Sequence, residues 1–243
     1  MSAAPASVRR LVILSGSPKP ARSTSAVLGA RLAELMAPKG WESVTFRSAA
    51  VLASPERWAE FAAAYGAADL IVLSLPLYVD GLPAPLVRVL EKLAPGGTNV
   101  GAGPEAGATL RPKPGARLAA MVQSGFPEAR QSVTALGMCR VFARKAGLRW
   151  AGGLAIGSGG AISRRLEGRG RLARYLVRAL DLTATFLGDG KDIPAEAVAL
   201  AARPPVPGFA LVYRVITNSQ WRAAAKANGV ADRFLDQPYR RED

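Results

Sequence analysis

Apolar residues arrive along this chain in two alternating rhythms. One is the short unbroken run: Arg10–Ser15 (RLVILS), then Asp69–Leu75 (DLIVLSL), then Ala116–Gln123 (ARLAAMVQ). Runs of this kind, cut off by glycine or proline, read as strands buried on both faces. The other rhythm is the three-to-four spacing of a helix. Ser23–Ala37 carries Leu28, Leu32, Leu35 and Met36 on one face and stops before Pro38, as an amphipathic helix does. Glu42–Arg47 alternates as a strand. Pro55–Tyr65 reads as a helix with Gly66 at the C-cap position, and a further helix runs from about Pro85 to Leu93. Glu128–Ala146 is expected to be helical, with Pro127 in the first turn and Gly147 closing it. Trp150–Ile156 is the fifth strand, followed by a glycine loop at Gly157–Gly160 and a long helix Leu166–Leu187.

Strands alternating with helices define an α/β fold, with a parallel sheet covered on both faces and right-handed crossovers. Pro95–Gly115 interrupts the pattern with six glycines and four prolines in 21 positions, a long surface loop. From Asp192 onward the pattern changes to short helical pieces broken by Pro204, Pro205 and Pro207. The expected organisation is a sheet domain over residues 8–191 and a C-terminal helical extension over 192–243. The run Leu11–Leu14 is too short for a secretory signal, and no apolar stretch is long enough to span a bilayer. A cytoplasmic location is expected.

Composition narrows the chemistry. Among 243 residues there is no histidine and one cysteine, Cys139. Imidazole acid–base catalysis, Ser-His-Asp triads, His-ligated metals, intrachain disulfides and all-cysteine metal sites are therefore excluded, and no metal site is expected. Cys139 falls inside a helix and reads as packing, not as a redox nucleophile. The remaining resources are backbone amides, hydroxyls, cations, carboxylates or a borrowed cofactor. With 32 Lys+Arg against 18 Asp+Glu the formal net charge is +14, which favours anionic company.

In an open parallel sheet, ligands bind beyond the carboxyl ends of the strands. The segment after the first strand is SGSPKPARSTS, residues 15–25. Its hydroxyls, its cations Lys19 and Arg22, and the free amides of the following helix make an anion cradle suited to phosphate. It is neither a Walker A loop nor a GxGxxG fingerprint. Gly101-x-Gly103 and Gly157-x-Gly159 also lack the spacing of a dinucleotide motif. After the third strand comes SLPLYVDGLPAP, residues 74–85, where apolar residues and Tyr78 stand where polar ones are usual. A flat apolar ligand explains this, and so does a loop packed on its neighbours.

Together with QSGFPEARQ after the fourth strand, these segments resemble the flavodoxin-like NAD(P)H-dependent oxidoreductases, the superfamily of FMN reductases, quinone reductases and azoreductases. The likeness covers about residues 9–188. It implies a five-stranded sheet of order 2-1-3-4-5 with tightly bound FMN at the switch point and NADPH or NADH as co-substrate. It further implies that Ser15, Ser17, Lys19, Ser23, Thr24 and Ser25 hold the FMN phosphate. Pro76, Leu77, Tyr78 and Val79 would border the isoalloxazine ring, and Gln123, Ser124, Gly125 and Phe126 would meet its other edge. Amides at Ser124 and Gly125 are expected to steady negative charge on the reduced ring. Hydride would pass from nicotinamide through flavin to a quinone or other small acceptor, with no protein residue acting as a chemical catalyst. A homodimer is expected. The sequence departs from the family habit in carrying Lys19 where Arg is common, and in its long 95–115 loop.

Two other readings remain: a flavodoxin-type electron carrier that docks on proteins, and a flavin-free surface-binding protein that retains the fold. Between Arg140 and Arg178 ten cations face a single acid, Glu167. This reads mainly as a solvated basic face, with Arg164 or Arg165 as candidates for the NADPH 2′-phosphate. Nucleic-acid binding is not expected, because aromatics make up 7% of the chain and Tyr175 is alone in that stretch. The tail segment Val206–Ile216, followed by Trp221, Arg222 and Lys226, suits packing or dimerisation first and a lipid surface second.

Overall fold

The computed structural model describes residues 8–19, 23–95, 110–159, 173–205 and 208–237. Contacts divide the chain into two units, residues 1–205 and 206–243. The first unit holds strands β1 (Arg9–Ser15), β2 (Trp41–Arg47), β3 (Leu70–Pro76), β4 (Arg117–Gln123) and β5 (Arg149–Ile156). All pair in parallel, in the order β2-β1-β3-β4-β5. The central strand β3 is buried at every position, which is why its sequence runs unbroken in apolar residues while β2, at the edge, is mostly exposed.

Alternate side chains of the strands feed two cores. On one face Leu11, Ile13, Leu70 and Val72 pack against helices α1 (Thr24–Met36), α6 (Arg174–Gly188) and α7 (Ala195–Ala201). On the other face Val12, Leu14, Ile71 and Leu73 meet α3 (Pro55–Ala67), α4 (Ala84–Leu93) and α5 (Val133–Lys145), with a short α2 (Ser48–Val51) alongside. Helix α1 lies unusually close to the sheet: a Cβ at Gly29 would stand 2.8 Å from Ile13 Cγ2. Cys139 is wholly buried on α5 and its thiol pKa is pushed up to about 12 by that burial, so it stays protonated and unreactive, as its helical position suggested.

Three expectations are corrected. Helix α3 runs through Gly66 to Ala67, and the chain leaves the helix at Ala68, whose extended backbone leads straight into β3. The segment before α5 is a 3₁₀ turn, Ala129–Ser132, and the α-helix begins only at Val133. Pro127 therefore precedes this turn and does not sit in an α-helical first turn. The tail is not a set of short pieces after its prolines. Phe209–Ala227 is one helix of 19 residues, α8, because neither proline nor glycine occurs between Gly208 and Asn228. The start of the helix expected from Leu166, the residues Arg164, Arg165, Glu167, Arg169 and Arg171, and most of the 95–115 loop lie outside the described residues.

At the amino ends of the strands, cations gather on the C-terminus of α6. The buried Arg117 donates to Leu187 O at 2.8 Å and Lys191 O at 2.9 Å. Arg9 donates to Gly188 O and stacks over Trp41, whose indole donates to the same carbonyl at 3.2 Å. Helix-terminal carbonyls have no intrahelical donors, and the dipole there favours positive charge. Replacing Arg117 by Met keeps the unbranched apolar stem of the side chain and removes both bonds. The expected loss is about 2–3 kcal/mol, read as a lower urea midpoint with an unchanged denaturant slope.

Candidate functional site

The order β2-β1-β3-β4-β5 reverses direction between β1 and β3, so the loops leaving these strands part and open a crevice at their carboxyl ends. Backbone hydrogen bonds continue past the strands and fix the loops that line it. Gly16 N donates to Ser74 O at 2.9 Å, Leu77 N to Gln123 O at 2.8 Å and Ser124 N to Ile156 O at 2.9 Å. Behind them Ser158 N donates to Phe126 O at 2.7 Å and Gly159 N to Ser124 O at 2.8 Å.

The turn between β1 and α1 is built from donors. Ser17 Oγ accepts the Lys19 amide at 3.2 Å, closing a local turn. Ser23 caps α1 by accepting the Ala26 amide at 3.2 Å, which leaves the first-turn amides of Thr24 and Ser25 without an intrahelical acceptor. Lys19 is exposed and Thr24 half-buried. The hydroxyls of Ser15 and Ser25 are buried and, among the described residues, unpartnered. Both lie near Ser74, which is in register with Ser15 and donates from Oγ to Ser25 O at 2.7 Å. These three serines pin the start of α1 to the middle of the sheet. No carboxylate occurs from Ser15 to Ser25. Donors without acceptors, a helix N-terminus and a cation, free of acids, fit a phosphate.

The apolar rim comes from the next two loops. Pro76 is buried and Leu77 half-buried, while Tyr78, Val79 and Phe126 expose large apolar surface. Tyr78 and Gly81 exchange backbone hydrogen bonds at 3.1 and 2.9 Å around a two-residue turn, Val79 and Asp80, with φ of 47° and 58°. Such turns normally use Asn-Gly, because left-handed backbone is strained for side chains with a Cβ and most of all for a β-branched one. Ser158 is the third strained residue, at φ 58°, on the adjoining β5 loop. All three described non-glycine residues with left-handed backbone thus sit at this one edge of the sheet, where strain is typical of functional loops.

On the β4 loop, Gln123 is half-buried, Ser124 buried, and Gly125 and Phe126 exposed. One expectation changes here. The Ser124 amide is taken by Ile156 and its hydroxyl lies 3.3 Å from Phe126 O, since β4–β5 pairing extends one residue past the strand. The Gly125 amide alone of the pair has no partner among the described residues. Gly157 admits no other residue comfortably, as a Cβ there would lie 2.2 Å from Pro127 O. Ser74, Ser158 and the Val79–Asp80 turn were not singled out in the sequence. Only Ser74 left a trace, as the lone hydroxyl in an otherwise apolar strand.

Sheet order, switch-point crevice and donor-rich first turn define a flavodoxin-like nucleotide-binding protein. The model of the NADPH-dependent FMN reductase family matches residues 9–146, and the chain belongs to that family. It is an NAD(P)H-dependent oxidoreductase that works with FMN. Among solved structures the chain is similar to an NADH:FMN oxidoreductase (EMOB) in its apo form, at 15% identity and a TM-score of 0.55, covering 84% of this chain and 98% of that one. It is also similar to the NAD(P)H:quinone oxidoreductase from Methanothermobacter marburgensis, at 14% identity and a TM-score of 0.50, covering 74% and 98%. At these identities the likeness is one of fold. No curated protein sequence matches the chain.

The strained turn offers a direct test. Val79→Gly removes the Cβ that the left-handed backbone opposes and is expected to raise stability by about 1 kcal/mol, measured by urea unfolding of the otherwise unchanged protein.

Proposed function

We propose that this protein binds FMN in the crevice between the β1 and β3 loops and uses it to reduce a quinone or other small electron acceptor at the expense of NADPH or NADH. The observation that carries the reading is the segment from Ser15 to Ser25, rich in hydroxyls and cations and free of acids, at the point where the sheet order reverses. Ser17, Lys19, Thr24 and the first-turn amides of α1 hold the phosphate, while Ser15, Ser23 and Ser25 build the start of the helix behind it. Bound FMN supplies the two-electron chemistry that joins a nicotinamide to an acceptor.

The remaining work belongs to the chain's own residues. Pro76, Leu77, Tyr78 and Val79 present an apolar wall that orients a flat ring and keeps water from one side of it. Phe126 and the half-buried Gln123 border the opposite side. The free Gly125 amide is placed to donate to a negatively charged ring edge, a preorganised dipole that costs nothing to orient. Neither a general base nor a nucleophile is needed, in keeping with a chain that has no histidine and a buried thiol. Access for a second flat molecule lies over the exposed Tyr78–Gly81 turn and Phe126.

Ser17→Asp combined with Thr24→Asp sets two carboxylates against the phosphate while leaving the fold intact, since Asp suits the first helical turn at position 24 and can accept the Lys19 amide at position 17 as the serine does. Titration of the refolded apoprotein with FMN, followed by flavin fluorescence, is expected to show affinity weakened about 100-fold or more, as loss of two charge-assisted contacts implies. NADPH consumption with a quinone is expected to fall in step at limiting FMN. Unaltered FMN affinity with a native circular dichroism spectrum would place the phosphate elsewhere.

A further inference from the structure

The unit of residues 206–243 falls outside the stretch that the family model matches. Its helix α8 has no acidic residue across 19 positions and three cations, Arg214, Arg222 and Lys226. Its large apolar side chains face outward: Leu211, Val212, Val215, Ile216 and Trp221 are all exposed. They are not scattered. Leu211 and Val215 form one stripe, and Val212 and Ile216 form the stripe beside it. Arg222 and Lys226 lie close to whole helical turns beyond Leu211 and continue its stripe. The same face is apolar in its first half and basic in its second, while Trp221, nine residues beyond Val212, stands on the opposite side of the helix.

We propose that α8 docks on an anionic lipid surface. Its first half seats Leu211, Val212, Val215 and Ile216 at the boundary between headgroups and acyl chains, and Arg222 and Lys226 meet the lipid phosphates. No helix among the described residues is long and apolar enough to cross a membrane, so α8 lies on the surface. Charge selects the occupant. An acid-free face attracts an anionic surface, with each cation near it worth about 1 kcal/mol. A second copy would bring the same three cations against the first, on a chain already at +14. The acids of this unit that are described, Asp232 and Asp236, follow the helix, and Asp236 is paired with Arg233 at 3.0 Å. The proposal is independent of how the first unit binds flavin.

The test is co-sedimentation of the full-length protein with phosphatidylcholine vesicles, with and without phosphatidylglycerol. Binding is expected only when phosphatidylglycerol is present, and it should weaken at raised salt. Leu211→Glu with Val215→Glu, and separately Arg222→Glu with Lys226→Glu, are each expected to lower vesicle binding about tenfold or more. NADPH oxidation with a soluble acceptor should be unchanged in both. The second pair leaves the apolar residues in place and guards against a folding defect in the first. The proposal is overturned if phosphatidylglycerol vesicles fail to bind the wild type, or if both double variants bind as well as it does. It is also overturned if sedimentation velocity shows a wild-type oligomer that Leu211→Glu with Val215→Glu dissociates, since a second copy then covers the face.

Discussion

Hydrogen bonding in this sheet continues beyond the last paired residues of β1, β3 and β4. The amides of Gly16, Leu77 and Ser124 each reach the carbonyl of a neighbouring strand's final or near-final residue, so three loops leave the sheet already tied to one another. Buried backbone donors must find acceptors, and here that requirement does architectural work. It sets the β1 turn, the Tyr78 turn and the Phe126 loop at fixed heights along one edge. The crevice at the switch point is bounded by segments that are irregular in backbone yet hydrogen-bonded to the neighbouring strands.

Upon that frame the chemistry divides cleanly. The β1 turn offers hydroxyls, helix-start amides and positive charge with no carboxylate, and the next two loops offer apolar surface. A ligand that satisfies both must be anionic at one end and flat and apolar at the other, which is the shape of a flavin mononucleotide. The scarcity of titratable groups is part of the same design. With no imidazole and a thiol held protonated by burial, the protein contributes position, exclusion of water and oriented dipoles.

Much of this was legible in the sequence because burial writes itself in apolar period. The runs around Val12, Val72 and Ala119 are buried on both faces, so the five strands can be read to within a residue. Helix ends were harder. Gly66 resembles a stop, but an α-helix tolerates glycine when the residue beyond it can turn directly into a strand, as Ala68 does. The prolines before Gly208 mark a break in the chain, but the proline-free run after it folds as one helix, α8. At the site, residue types marked the turn but not the direction of each hydroxyl. Ser15 and Ser25 point into a buried contact region with Ser74 that depends on strand register, a long-range property. Asp80 belongs to a type that tolerates left-handed backbone, but nothing local announces it for Val79, whose branched Cβ opposes it.

The cations beneath the sheet carry a mechanical implication. Arg9 from β1, Arg117 from β4 and Arg149 from β5 all donate to carbonyls at or just past the end of α6, so three strands are fastened to one helix terminus at the end remote from the crevice. Opening fluctuations that start at the ligand edge must travel the full length of the sheet before they loosen this knot. Amide exchange with solvent should therefore be graded along the strands, slowest at their amino ends. The binding edge keeps its freedom to adjust, and the foundation beneath it stays shut.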